Sequence, residues 1–143
     1  MNGLAGRLSH PGLVLACQVA TGLIFLAAAV TKIGDAATFA RQIHNFRLVP
    51  FGLENLVAIT LPWIEIVAAL AILLRVRPRA GSLVGAGLMA FFLVVVGTAV
   101  ARGLDIECGC FGTADASRVG LAKLAENAGL LAVTLVASLR PRD

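Results

Sequence analysis

Four stretches of nearly unbroken apolar residues divide the chain. They run from about Leu13 to Thr31, Leu53 to Leu74, Ala80 to Ala101 and Leu121 to Leu139. Each approaches the ~20 residues that carry an α-helix across a hydrocarbon layer ~30 Å thick. Backbone polar groups find no water in lipid, so spanning segments are helices or closed barrels. Barrel strands are about half as long and alternate in polarity. The pattern therefore predicts an all-α integral membrane protein. Residues 1–143 form one domain, a four-helix transmembrane bundle.

The connections differ in character. Residues 32–52 mix charge with Phe39, Ile43, Phe46 and Leu48. Phe39, Ile43 and Phe46 recur at helical spacing, which predicts an amphipathic segment lying in the interface between the first two spans. Pro50 and Gly52 end it. The second connection is the short basic turn Arg75-Val76-Arg77-Pro78-Arg79. The third, residues 102–120, holds Cys108 and Cys110 with the acids Asp105, Glu107 and Asp115. It is expected at the bilayer surface.

Composition narrows the class. The chain is 59% hydrophobic and only 14% charged, too little charge to cover a soluble domain of this size. The net charge of +4 alone would fit nucleic acid. The arginines instead flank apolar spans rather than forming a stripe, so nucleic-acid binding is excluded. The first apolar stretch is longer than a signal h-region and is expected to stay as a helix. The 12 basic residues divide evenly between the two sides of a four-span chain, and density decides. Arg75, Arg77 and Arg79 cluster in five residues, and Arg140 and Arg142 follow the last span. Both termini are thus expected in the cytoplasm of a bacterial inner membrane, with the cysteine loop outside. Disulfides persist there.

Cys108-Gly109-Cys110 is the segment richest in chemistry. Cα atoms two positions apart lie roughly 5–7 Å from each other. A disulfide needs about 4.4–6.8 Å. The glycine permits the backbone angles of so tight a ring. A bond closing so short a loop is a poor staple, which favours thiol–disulfide exchange. Two other readings stand beside it: a copper(I) or zinc site with Cys108, Cys110 and His44 as ligands, and two structural cysteines. Cys17 lies near the other end of the first span and reads as a small hydrophobe.

Charges inside apolar stretches are functional candidates by default. Glu65 lies within the second span, and Lys32 at the outer end of the first is its expected partner. Arg41 and His44 are alternatives. The pair serves either as structure or in proton handling beside the thiols. Lys123, Glu126 and Asn127 share one face of the fourth span and are expected to point into the bundle or a vestibule beneath the loop. Exchange needs a proton acceptor, for which Glu126 and Glu65 are the candidates. Gly81, Gly85 and Gly87 give the third span a small-residue face, for packing within the bundle or between protomers in a homo- or hetero-oligomer.

Four segments in order carry a family resemblance. They are the first helix ending at Lys32, the stretch from Phe39 to Pro50, Leu-Pro-Trp-Ile-Glu at 61–65, and Arg-Gly-Leu-Asp-Ile-Glu-Cys-Gly-Cys-Phe-Gly at 102–112. The chain resembles the methylamine utilisation protein MauE group of the DoxX-like membrane proteins. The resemblance implies a four-helix membrane protein with Cys108 and Cys110 as a redox pair and Lys32 and Glu65 as embedded charges. It further implies maturation of a disulfide-bearing extracytoplasmic client and a thioredoxin-like partner. The architecture is also similar to the quinone-linked disulfide-forming enzymes of the DsbB and vitamin K epoxide reductase type. Quinone thereby enters as the one candidate cofactor. Those enzymes carry two redox pairs, whereas this chain has one pair and a remote Cys17.

The leading expectation is a membrane thiol–disulfide oxidoreductase or maturation factor with Cys108, Cys110, Glu65, Lys32 and Glu126 at its site. A metal-handling transport protein and a non-catalytic scaffold docking a partner through its third span are the alternatives.

Overall fold

Six helices account for most of the backbone in the computed structural model, which describes residues 2–110 and 117–139. Phe111-Gly112, Asp115, Arg140 and Arg142 lie outside the described residues. Helix α1 spans Asn2–Leu8, a short element that the apolar pattern did not signal. Helix α2, Pro11–Gly34, opens on a proline, which lacks only an N–H that has no partner in a first turn. Helix α3, Ala36–Phe46, follows at once, with the Asp35 carboxylate accepting from the Thr38 N–H at 3.1 Å. Hydrogen bonds from Thr38 hold that carboxyl below the usual range. Helix α4 spans Glu54–Leu73 and runs unbroken through Pro62. Helix α5 spans Pro78–Ala101, and α6 spans Leu121–Ala137.

Three of these helices, α2, α4 and α5, are long and apolar enough to cross a membrane. Helix α6 has 17 residues, about 26 Å of rise, and includes Lys123 and Glu126. The fold is thus all-helical with three membrane-length helices among the described residues.

The packing inverts the plan of a soluble bundle. Small side chains fill the centre: Ala28, Ala29, Ala68, Ala69 and Ala99 are all buried. Polar groups join them, with Lys32, Glu65, Ser82 and Asn127 fully enclosed. Large apolar residues face outward, among them Leu23, Leu56, Val67 and Val94, each more than half exposed. An apolar surface on this scale is suited to lipid.

Helix α4 packs on α2, α3 and α5, and α6 packs on α5 and α2. Glycines set the closest approaches. A Cβ on Gly81 would lie 2.7 Å from the Ala68 carbonyl of α4, and one on Gly85 would lie 3.0 Å from the Phe25 ring of α2. A Cβ on Gly87 would meet nothing within 4 Å. Of these three glycines, Gly81 and Gly85 are the two that pack against other helices among the described residues.

Hydrogen bonds fix the two ends of the bundle. At one end, Gln18 Nε2 donates to the Ala137 carbonyl at 3.0 Å, and Arg79 Nε donates to the Ser138 carbonyl at 3.1 Å. This joins the start of α2, the start of α5 and the end of α6. At the other, Arg102 donates to the Phe46 carbonyl at 2.7 Å, joining the ends of α5 and α3. The cysteine segment lies at that second end.

Candidate functional site

The cysteine segment is anchored before it reaches the sulfurs. The Cys108 N–H donates to the Ser117 carbonyl at 3.0 Å, and the Val119 N–H donates to the Ile106 carbonyl at 2.8 Å. These bonds make an antiparallel bridge between Glu107 and Arg118. Beyond it the chain turns inward. Cys108 and Cys110 are 3% and 6% exposed and join a core cluster with Phe25, Met89, Phe92 and Val96. The pair is thus enclosed by the protein at its end of the bundle rather than standing free in a polar loop. The apolar side chains around it draw in a segment that the sequence marks as polar.

The two cysteines form a close pair. Their Cα atoms are 5.3 Å apart and their sulfurs are placed as a disulfide. Gly109 has φ +64°, in the left-handed region that favours glycine. It also lies under Gln42 of α3, whose amide occupies the space a Cβ would need. Gln42 Nε2 donates to Glu107 Oε2 at 3.3 Å, and its Oε1 is buried with no partner among the described residues.

Beneath the pair sits Lys32, fully buried. Its Nζ donates to Glu65 Oε1 at 2.6 Å and to the Cys110 carbonyl at 2.8 Å. The rings of Phe39 and Phe92 each lie 5.1 Å from the same nitrogen. One ammonium thus ties together α2, α3, α4, α5 and the cysteine segment. A buried charge is tolerable only with such a set of partners. Glu65 Oε2 is buried and has no hydrogen-bond partner among the described residues.

The structure brings together four of the five residues singled out by sequence: Cys108, Cys110, Lys32 and Glu65. Glu126 stands apart. It faces outward, with 53% of its side chain exposed, and accepts from Lys123 at 3.2 Å. Lys123 and Asn127 turn inward as expected. The two alternative partners of Glu65 are engaged elsewhere. Arg41 bonds Thr38 at 3.0 Å, and His44 Nδ1 lies 2.9 Å from Glu54. His44 is therefore directed to Glu54, and among the described residues no three His, Cys, Asp or Glu side chains cluster to hold a metal. Cys17 precedes Gln18 at the far end of α2. Fifteen residues of helix, about 22 Å, separate it from Lys32.

Gln42 is the residue that sequence reading passed over. It lies on the same α3 face as Phe39 and Phe46, all three buried. A lone amide on the apolar face of an amphipathic stretch was the available signal.

Two cavities flank Gln42. One, of about 250 Å³, is lined almost wholly by apolar groups, including Phe39, Phe46 and Phe92, with Cys108, Gly109 and Cys110 along its wall. The other, of about 440 Å³, is polar and is lined by Thr38, Arg41, Asn45, Asp105, Glu107 and Arg118.

Fold and site together define an all-helical protein with membrane-length helices that enclose a close cysteine pair over a buried Lys–Glu pair. The family model of "Methylamine utilisation protein MauE" matches residues 11–140, and the chain belongs to that family. The methylamine utilization protein MauE of Methylorubrum extorquens is 37% identical over 109 residues, 76% of this chain and 59% of that protein. That of Paracoccus denitrificans is 34% identical over 111 residues, again 76% of this chain and 59% of the relative. That of Methylophilus methylotrophus is 26% identical over 142 residues, 98% of this chain and 75% of the relative. The chain spans about three fifths of the length of the first two relatives. No solved structure matches it.

Proposed function

We propose that this protein is a membrane thiol–disulfide redox factor acting, as its relatives' names state of them, in methylamine utilisation. Cys108 and Cys110 exchange with a thioredoxin-like protein or a disulfide-bearing client on the extracytoplasmic side. The observation that carries this reading is the close Cys108–Cys110 pair, with the Cys110 carbonyl held by Lys32 and Lys32 held by Glu65. A pair that needed only to staple the fold would close a longer loop.

The membrane arrangement belongs to the same proposal. Helix α6 crosses as a fourth span, because its two ends bond at opposite ends of the bundle. Helix α3 lies along the interface with Phe39, Gln42 and Phe46 turned inward. The segment from Asp105 to Cys110 then faces the extracytoplasmic side. Buried cysteines reach a protein partner only when the segment lifts, so Gln42 and Lys32 act as positioning residues that hold it down.

Trapping tests the function. In intact cells, single Cys108→Ser and Cys110→Ser variants are expected to leave one thiol able to hold a partner as a mixed disulfide. The adduct is resolved on non-reducing gels and its partner identified by mass spectrometry. Wild-type protein is expected to show both oxidised and reduced forms by alkylation mass shift. A pair that never changes state, with no adduct in either variant, overturns the redox reading.

A further inference from the structure

The apolar cavity has the features of a small-molecule site. Its volume of about 250 Å³ lies just under the ~300–1,000 Å³ typical of organic-ligand pockets, which suits one ring with short substituents. Aromatic rings and aliphatic chains such as Leu61 and Val95 make up its walls. Leu48 and Phe91 belong to the lining and are 48% and 55% exposed, so the lining reaches the apolar outer surface. A molecule dissolved in lipid arrives from that surface. Such walls disfavour a charged or sugar-bearing cofactor, whose desolvation nothing there would offset.

One amide lines the cavity, that of Gln42. Its Nε2 is committed to Glu107, while its Oε1 is buried without a partner. A buried acceptor left unpaired costs about 1–3 kcal/mol, so a turn of this side chain out of its packing against Gly109 and into the cavity is favoured by a ligand that brings a hydroxyl donor. Both cysteines of the pair border the same space.

We propose that this cavity takes the ring of a lipid-soluble quinone, which serves as electron acceptor for the Cys108–Cys110 dithiol. The inference rests on the redox function proposed above and supplies its oxidant. In the step, the two S–H bonds break and the Cys108–Cys110 S–S bond forms. The two electrons and two protons released convert the two quinone carbonyls to hydroxyls, giving the quinol. Turned toward the cavity, Gln42 Oε1 accepts from one of these hydroxyls and so favours the reduced ring. Gln42 also lines the polar groove. The pair and this amide thus stand between a lipid-side electron acceptor and a water-side client.

The full chain in nanodiscs of phosphatidylcholine and phosphatidylglycerol provides the test. The protein is reduced with dithiothreitol, freed of reductant and mixed anaerobically with decylubiquinone. Ultraviolet absorbance follows quinone loss, and maleimide mass shift follows the thiols. About one quinone is expected to be consumed per dithiol, as a two-electron couple requires. Diamide, a water-soluble thiol oxidant, gives the reference rate. Leu61→Trp and Val95→Trp fill the cavity from α4 and α5 separately, so a folding failure in one leaves the other. Each is expected to lower the ratio of quinone rate to diamide rate by about 100-fold, the penalty of a misplaced reactant. A dithiol that diamide oxidises and decylubiquinone does not overturns the proposal. So does an unchanged ratio in the tryptophan variants. Loss of the redox function itself reads out differently, as absence of any trapped partner in cells.

Discussion

The ammonium of Lys32 holds the site together, and its two bonds make different demands. The ion pair with Glu65 is fully enclosed, so removing one partner strands the other charge. Lys32→Met and Glu65→Leu are each expected to destabilise the protein by about 3–5 kcal/mol. The double variant is expected to lose less than either single change, because no charge is left behind. Unfolding in mixed micelles of increasing dodecyl sulfate measures both, and a double variant as weak as the sum of the singles refutes the pairing. Lys32→Met also releases the Cys110 carbonyl, so its reduced thiols should alkylate faster than those of the wild type. These two charges were legible in the sequence because ionisable residues inside apolar stretches stand out and find few partners. Gln42 was not, since an uncharged amide next to Arg41 in a polar connection carries little contrast until the helix face it shares with Phe39 and Phe46 is seen to be buried. Nor was the burial of Cys108 and Cys110, which depends on side chains from α2 and α5 gathered far from the segment in sequence.

The three membrane-length helices α2, α4 and α5 were read from hydropathy to within a few residues, because length and polarity decide a lipid-crossing segment. What hydropathy does not encode is which face meets which neighbour. Gly81, Gly85 and Gly87 look equivalent as a small-residue stripe, yet among the described residues only the first two pack against other helices. Gly81→Val is expected to force α5 away from Ala68 and Ile72, costing about 1–3 kcal/mol as an overpacked site. Gly87→Val is expected to stay within about 0.5 kcal/mol, as a surface change does. The same dodecyl sulfate titration distinguishes them, and equal losses would place Gly87 in a contact beyond this chain. Helix α6 shows the same limit. Lys123, Glu126 and Asn127 were placed on one face by spacing, but Glu126 sits at the face's edge and turns outward.

At the scale of the molecule, the two ends of the bundle differ in how their charges are distributed: the 75–79 turn packs three arginines with no acid, while the cysteine end mixes arginines with Asp105, Glu107 and Glu54. One end gathers the arginine-rich turn at 75–79 with the end of α6, and the other gathers α3, the Pro50–Leu53 connection and the cysteine segment. Basic residues concentrated next to spans mark the cytoplasmic side. In the proposed arrangement, with α6 as a fourth span, the C-terminal end of α6 and the 75–79 turn would share that side, and Phe51 would lie on the other. Single cysteines report this in a background with Cys17→Ala, Cys108→Ser and Cys110→Ser. Phe51 and Val76 are 94% and 73% exposed, so the protein itself covers neither. Phe51→Cys is expected to react with a membrane-impermeant maleimide in intact cells. Val76→Cys and Ser138→Cys are expected to react only after permeabilisation. Labelling of Ser138→Cys in intact cells, with Val76→Cys protected, would leave α6 outside the membrane and reduce the protein to three spans. Reversal of all three would turn the cysteine segment toward the cytoplasm, where glutathione and thioredoxin keep thiols reduced, and would remove the compartment that the proposed exchange requires.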